Sequence, residues 1–212
     1  MTMTSSSLYV LLLAVAAALH SLKFTGAAKY PSPDECKRLE CAPYTVINTT
    51  NSYEIRTYHT ASWIATSPIQ SSSYVDAITK GFMTLFRYID GDNAMKMKLK
   101  MTAPVLTDVQ PAKQRGSIFV VHFYLPKIHQ SKPPPSRVAH PVKLPKYRYA
   151  AARRFGGFMN DTGIPLQAMK LKKSLEGSIW SSASGDLKYS IAGYSGPDDY
   201  KNRVNEVIMW FN

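Results

Sequence analysis

The stretch "KMKLKMTAPV", residues 96–105, alternates without a break. Lys96, Lys98 and Lys100 fall on one side, and Met97, Leu99 and Met101 on the other. A period of two predicts a strand with one buried face, stopped at Thr102-Ala103-Pro104 because proline cannot continue a ladder. The lysines then form a solvated face that discourages edge-to-edge pairing. Upstream, "SYVDAITKGFMTLFRYIDGD" changes period: Val75, Ile78, Phe82, Leu85, Phe86 and Ile89 recur at three and four, an amphipathic helix. Ser73 is placed to cap it, with Asp76 in its first turn and Gly91 at its stop. Before the helix, "YTVINTTNSYEIRTYHTASWIATSPI" holds two or three short β-branched and aromatic runs that read as strands, and "SIFVVHFYLP" reads as another.

The second half repeats the plan. "VKLPKYRYAAARRFGG" reads as strands, and "IPLQAMKLKKSLEG" puts Ile164, Ala168, Leu171 and Leu175 on one helical stripe ending near Gly177. "LKYSIAGYSGP" and "NEVIMWFN" are again strands. Tyr53 to Pro104 and Tyr147 to Pro197 run from strand through helix to a strand closed by proline, with nearly equal spacing. That pattern suggests a decayed duplication. Two such units give an α+β fold of about eight strands and two helices, curled into one antiparallel sheet or open barrel. Pro133-Pro134-Pro135 separates the halves as a surface loop.

Composition adds where the chain goes. At 212 residues, 45% hydrophobic and 19% charged, it has the makings of a globular domain. "LYVLLLAVAAAL", Leu8 to Leu19, is an apolar run of signal-peptide length, followed by small residues at Gly26 and Ala28. Residues 1–28 are therefore expected to be a cleaved leader, with a retained anchor as the alternative, and 29–212 a single domain without stable membrane insertion. Cys36 and Cys41 form the simplest disulfide in an oxidising compartment. Asn48-Thr49-Thr50 and Asn160-Asp161-Thr162 fit the glycosylation acceptor pattern. The destination is the secretory pathway: extracellular, or a vacuolar or other endomembrane lumen. The net charge of +12 points to anionic partners: polyanions, acidic membranes or small acids.

Catalytic motifs are missing from the sequence. It holds no H-E-x-x-H, no phosphate-cradling glycine loop and no G-x-S-x-G. His59, His122, His129 and His140 are scattered without ligand spacing, and Glu54, Asp76 and Glu206 show no pairing along the chain. The first helix offers binding chemistry instead. Ile78, Phe82, Leu85 and Ile89 make its central stripe, Met83 and Phe86 widen it, and Lys80 and Arg87 stand at its margins. Such a face suits a flat apolar ligand carrying acidic groups. The alternative is plain core with snorkelling cations at its rim.

"SYEIRTY", "GFMTLFRYIDGDN", "KMKLKMTAPV", "FYLP", "AGYSGP" and "NRVNEV" occur in an order and spacing that resemble the SOUL haem-binding family, from Leu39 to Asn212. The resemblance implies a distorted eight-stranded antiparallel β-barrel with two flanking helices, built from two pseudo-repeats. It implies haem or another tetrapyrrole as ligand, in an apolar groove along the first helix rimmed by basic residues. Phe82 and Phe86 correspond to positions facing the porphyrin, and Arg87 is the adjacent cation. Lys80 stands one place after a position that is often basic in relatives and is Thr79 here. Some relatives carry a histidine after the "YEIR" arginine; this chain has Thr57, with His59 two places on and expected on the same side of the strand.

Together these readings predict a tetrapyrrole carrier or buffer rather than an enzyme, with no metal ligand set. An enzyme acting on a tetrapyrrole or another hydrophobic small acid is one alternative. A polyanion-binding protein using Arg153-Arg154 and Lys170, Lys172 and Lys173 is another, although secretion argues against nucleic acid. Nothing in the sequence sets an oligomeric state.

Overall fold

β-Branched and aromatic runs on both sides of the first helix pair into one large sheet. The computed structural model describes residues 29–185 and 188–212, so the expected leader lies outside the described residues. In chain order the elements are β1 (Glu40–Cys41), β2 (Tyr44–Thr49), β3 (Glu54–Tyr58), β4 (Ala61–Thr66), β5 (Ile69–Ser71), α1 (Tyr74–Ile89), β6 (Thr102–Ala103), β7 (Val105–Pro111) and β8 (Ser117–Tyr124). Then follow β9 (Ala139–Leu144), β10 (Tyr149–Phe155), α2 (Gly163–Leu175), β11 (Tyr189–Gly193) and β12 (Asn205–Phe211).

The main sheet has ten strands in the order β2-β3-β10-β12-β11-β7-β8-β4-β9, with β5 also on β8, and every pairing in it is antiparallel. The expected count of eight is corrected to ten. Eight strands do form two quartets about the central β7–β11 pair: β7-β8-β4-β9 on one side and β11-β12-β10-β3 on the other. The halves of the chain exchange their first strands, since β3 pairs with β10 and β9 with β4. The two additional strands have local causes. β2 folds back on β3, and Ser67-Pro68 breaks one run into β4 and β5, which pair with successive parts of β8. The sheet ends at β2 and β9, an open half-barrel, while β1 and β6 form a separate parallel pair.

Each face of the sheet has its own core. Ile55, Phe119, Val121, Phe123, Ala151, Ile191, Val207 and Met209 face the two helices. The other face carries Trp63, Leu106, Tyr124, Ala150, Ala152, Ala192 and Ile208, closed by the chain around Cys36–Ala42. Cys36 and Cys41 are disulfide-bonded there. On α2, Ile164, Ala168, Leu171 and Leu175 are all buried, the stripe expected of them.

Residues 96–101 depart from expectation. The in-and-out alternation holds: Leu99 is buried, Met97 and Met101 are half-buried against the core cluster that includes Leu85 and Tyr88, and the lysines are exposed. Yet among the described residues this segment pairs with no strand. Asn93 pins it instead, donating to the carbonyls of Tyr88 and Met97 at 2.9 and 2.7 Å and accepting from the amides of Met95 and Met97. The Leu99 amide then donates to Ile89 O at 2.7 Å. A side chain folded onto the helix end substitutes for the ladder that alternation alone predicts. Pro104 stands between the two-residue β6, which it ends, and β7, which it precedes. The triple-proline loop packs on the same helix end, where Tyr88 Oη donates to Pro134 O at 2.9 Å.

Candidate functional site

Ser73 Oγ accepts from the Asp76 amide at 3.2 Å and starts α1; Asp161 Oδ1 adds contacts to the amides of Tyr74 and Val75 at 2.6 and 3.1 Å. The helix stops at Gly91, whose φ of +112° favours glycine. Its buried face is Tyr74, Ala77, Gly81, Leu85, Tyr88 and Ile89. The expected stripe is therefore rotated. Val75 and Phe86 are 43% and 42% exposed, Met83 is 49% exposed, and Phe82 and Ile78 are half-buried. The cause is Gly81: a Cβ there would lie 2.3 Å from Val121 Cγ2, so only glycine admits the helix this close to β8.

The rotation turns an apolar strip outward. Phe82 and Phe86 stack with ring centroids 5.8 Å apart and planes 17° apart, and Phe82 is held from beneath by the edge-on ring of Phe123 at 5.4 Å. Val75 and Met83 extend the strip. Lys80 and Arg87 lie exposed along one margin, neither in an ion pair among the described residues. The helix thus brings together Phe82, Phe86, Met83, Lys80 and Arg87 on an open surface: apolar in the middle, cationic at one edge. No histidine belongs to it.

The opposite face of the sheet carries one enclosed slot and one open groove. Ala42, Tyr58, Trp63, Leu106, Tyr124 and Trp210 line a slot with a cavity of about 20 Å³, the volume of a single water. His59 follows β3 in the turn to β4 and borders this slot beside Tyr58, so the turn breaks its expected parity with Thr57. A groove of about 520 Å³ runs beside the disulfide, between Tyr30, Pro33, Tyr44 and Tyr194, but has no lysine or arginine in its lining.

Two buried constellations on that face escaped sequence reasoning. Arg56, fully buried, donates to Glu54 Oε2 at 2.8 Å and to both oxygens of Glu206 at 2.7 and 2.8 Å, with its guanidinium over the Tyr44 ring. Arg154 Nε and Nη2 and the Tyr194 hydroxyl also donate to Glu206. Glu54 and Glu206, unpaired along the sequence, thus share one arginine. The available signal was the alternation in "YEIRTY", which puts Glu54, Arg56 and Tyr58 on the face opposite Ile55. Burial alone would raise the Glu206 carboxyl, but Arg56 and then Arg154 outweigh it and hold its pKa below the usual carboxylate range. Burial likewise pushes Tyr58 up to about 12.

The second constellation spans four adjacent strands. Trp210 Nε1 donates to Ser190 Oγ at 2.7 Å, Ser190 Oγ donates to Asp108 Oδ1 at 2.5 Å, and His122 Nε2 lies 3.7 Å from Asp108 Oδ2. Serine and histidine both address the carboxylate, not each other, so this set does not activate a nucleophile. Burial holds the His122 pKa below its usual value despite Asp108.

The basic cluster considered for polyanions is partly consumed: Arg154 turns into the Glu206 network, and Arg153 donates to Gln167 Oε1 and Ser52 O. Asn160 is exposed, with its Oδ1 accepting from Thr162 and Gly163 at the start of α2; Asn48 is half-buried on β2. Among the described residues no three His, Cys, Asp or Glu gather as a metal site, and no helix is long and apolar enough to cross a membrane.

The profile of the family described as "SOUL heme-binding protein" matches residues 39–210. The chain belongs to this family. It is similar to "Heme-binding protein 2" of Mus musculus, 33% identical over 79% of this chain and 82% of the relative. The Homo sapiens protein of the same name is 34% identical over 74% of this chain and 77% of its own length. "Heme-binding protein 1" of Mus musculus is 27% identical over 81% and 92%. The matched span contains every element from β1 to β11 and all of β12 but Phe211.

Proposed function

We propose that this chain binds haem or a related tetrapyrrole on the outer face of α1 and serves as a carrier or buffer, not a catalyst. The observation that carries the reading is the stacked Phe82–Phe86 pair, half-buried at Phe82 and exposed at Phe86, extended by Met83 and bordered by Lys80 and Arg87, neither of which is in an ion pair among the described residues. A flat macrocycle covers the strip, and its carboxylates meet the margin. Exposed ion pairs each contribute only about 0.2–1 kcal/mol, so ring contact supplies most of the affinity and the cations set orientation. With no histidine on the face, iron needs no protein ligand and a metal-free ring binds comparably. The names of the relatives support the ligand class. The disulfide supports a secretory lumen, where Asn160 is the better exposed of the two glycan acceptors.

The test is a titration of the protein with haemin and with protoporphyrin, read by absorbance and tryptophan quenching, beside a Phe86→Ala/Arg87→Glu variant. Saturable binding of both pigments, weakened in the variant, is expected. Haemin-only binding with a six-coordinate spectrum, or binding unchanged in the variant, refutes a ligand held at this face by stacking and charge.

A further inference from the structure

Residues 29–31 are stitched into the buried charge network. The main-chain nitrogens of Lys29 and Tyr30 lie 2.6 and 2.8 Å from Glu54 Oε1. Arg154 sits over the Tyr30 ring at 4.9 Å and donates to Pro31 O at 2.6 Å, while Lys29 Nζ reaches Asn51 O. The two buried carboxylates share their cations unequally. Glu206 takes contacts from Arg56, Arg154 and the Tyr194 hydroxyl. Among the described residues Glu54 has Arg56 alone, on Oε2, and Arg56 is already shared; Glu54 Oε1 meets there only the nitrogens of residues 29 and 30. A fully buried carboxylate in that position is stabilised most by one further positive charge at its free oxygen.

We propose that the chain is processed at the Ala28–Lys29 bond and that the α-ammonium freed on Lys29 is this charge, forming a buried ion pair with Glu54. The proposal rests on the leader ending at Ala28 and is independent of pigment binding. Hydrolysis adds one water across the bond: Ala28 departs as a carboxylate, and the Lys29 nitrogen becomes an amine that is protonated at neutral pH. At 2.6 Å from Glu54 Oε1 the nitrogen already stands within ion-pair reach, so the freed ammonium needs no movement to form the pair. A chain extended upstream keeps an uncharged amide at this point, and a chain begun further on loses the nitrogen altogether. The charged and titratable groups around the pair are Glu54, Arg56, Glu206, Arg153, Arg154, Tyr30, Tyr44, Tyr58, Tyr194 and the Lys29 side chain.

The sign of the pH dependence follows. Pairing with a carboxylate raises the proton affinity of the amine, so its stabilisation is full below the ordinary α-amino range, about 8, and is lost as pH rises beyond it. The experiment compares three forms of the chain: one beginning at Lys29, one with Gly-Ser fused ahead of Lys29, and one beginning at Lys29 but acetylated on its α-nitrogen. Urea unfolding at pH 6.5 and 9.5 is measured with and without Glu54→Gln. At pH 6.5 the free-amine form is expected to unfold with an equilibrium constant about ten- to a hundredfold smaller than the other two. The gap shrinks to less than about fivefold at pH 9.5 and is missing in the Glu54→Gln set. The acetylated form keeps the length and loses only the charge, so it decides the matter even where Glu54→Gln fails to fold. Equal stability of free and acetylated forms at pH 6.5 overturns the ion pair. N-terminal sequencing of the secreted protein that starts anywhere but Lys29 overturns the processing point.

Discussion

Replacing Gly81 by alanine tests why α1 lies where it does. The new Cβ would meet Val121 Cγ2 at 2.3 Å, Val121 Cβ at 2.8 Å and Ile69 Cδ1 at 3.3 Å. Carbon atoms settle at about 3.5–4.0 Å, so helix and sheet must part by more than ~1 Å or Val121 must rotate. Val121 is fully buried and β-branched on a central part of β8, so its rotamer is confined. In an exposed helix, alanine would be favoured over glycine by about 1 kcal/mol. Overpacking a closed core costs about 1–3 kcal/mol, and a contact this short belongs at the upper end. The net expectation is a loss of about 1–2 kcal/mol, or roughly 2–8 °C in Tm. Urea unfolding followed by tryptophan fluorescence reads it. In a Val121→Ala background the 2.3 Å contact is gone and the 2.8 Å contact to Cβ remains, so Gly81→Ala should cost less than it does in the parent. Stability at or above the parent with Val121 intact would refute the close-approach explanation for the rotated stripe.

Other parts of the fold make separate predictions. Arg56→Met leaves Glu54 and Glu206 buried without their shared cation and is expected to cost about 3–5 kcal/mol, read as a drop in the urea midpoint. On acidification, stability should fall in two stages. His122 has a depressed pKa and is favoured neutral, so its contribution is full above about pH 6.5 and is lost as pH falls toward its folded value. Glu206, also depressed, contributes above about pH 4.3 and is lost as pH falls through its folded value. His122→Asn should remove the upper stage only; an unchanged profile between pH 6.5 and 5 counts against the buried neutral imidazole. Opening the Cys36–Cys41 bridge as a double serine variant should lower stability by about 2 kcal/mol, since the closed loop is short, and thermal melting beside the parent measures it.

Periodicity revealed the two helices, the strands of the second half and the duplication because each rests on local alternation. It failed where a single residue overrides its neighbours. Hydropathy around α1 weights Phe86 and Val75 as core, but the close approach at Gly81 turns them outward. Alternation over 96–101 reads as a strand, but Asn93 ties that backbone to the helix end before any ladder can form. Glu54 and Glu206 are far apart in sequence, and only the β3–β10–β12 adjacency brings them to one arginine. The candidate site was legible in composition, as aromatics, methionine and cations on one helix. Its exposure was not, because exposure depends on the distance between helix and sheet.

That distance also explains why the proposed binding surface lies on the helical face of the sheet. Ala150, Ala152 and Ala192 put short side chains on the face away from the helices, but the space they leave is taken by Trp63, Tyr124 and Trp210 and by the Arg56 network. The enclosed slot that remains holds one water and admits no macrocycle, and the open groove beside the disulfide has no lysine or arginine in its lining. On the helical face, Ala77 and Gly81 bring α1 down onto β8, and the larger residues one step around the helix have nowhere to go but out. Tight packing and an exposed aromatic strip are therefore two results of the same small residues. A ligand covering that strip would complete the burial that Phe86 and Met83 lack in the free protein, while leaving the sheet beneath unchanged.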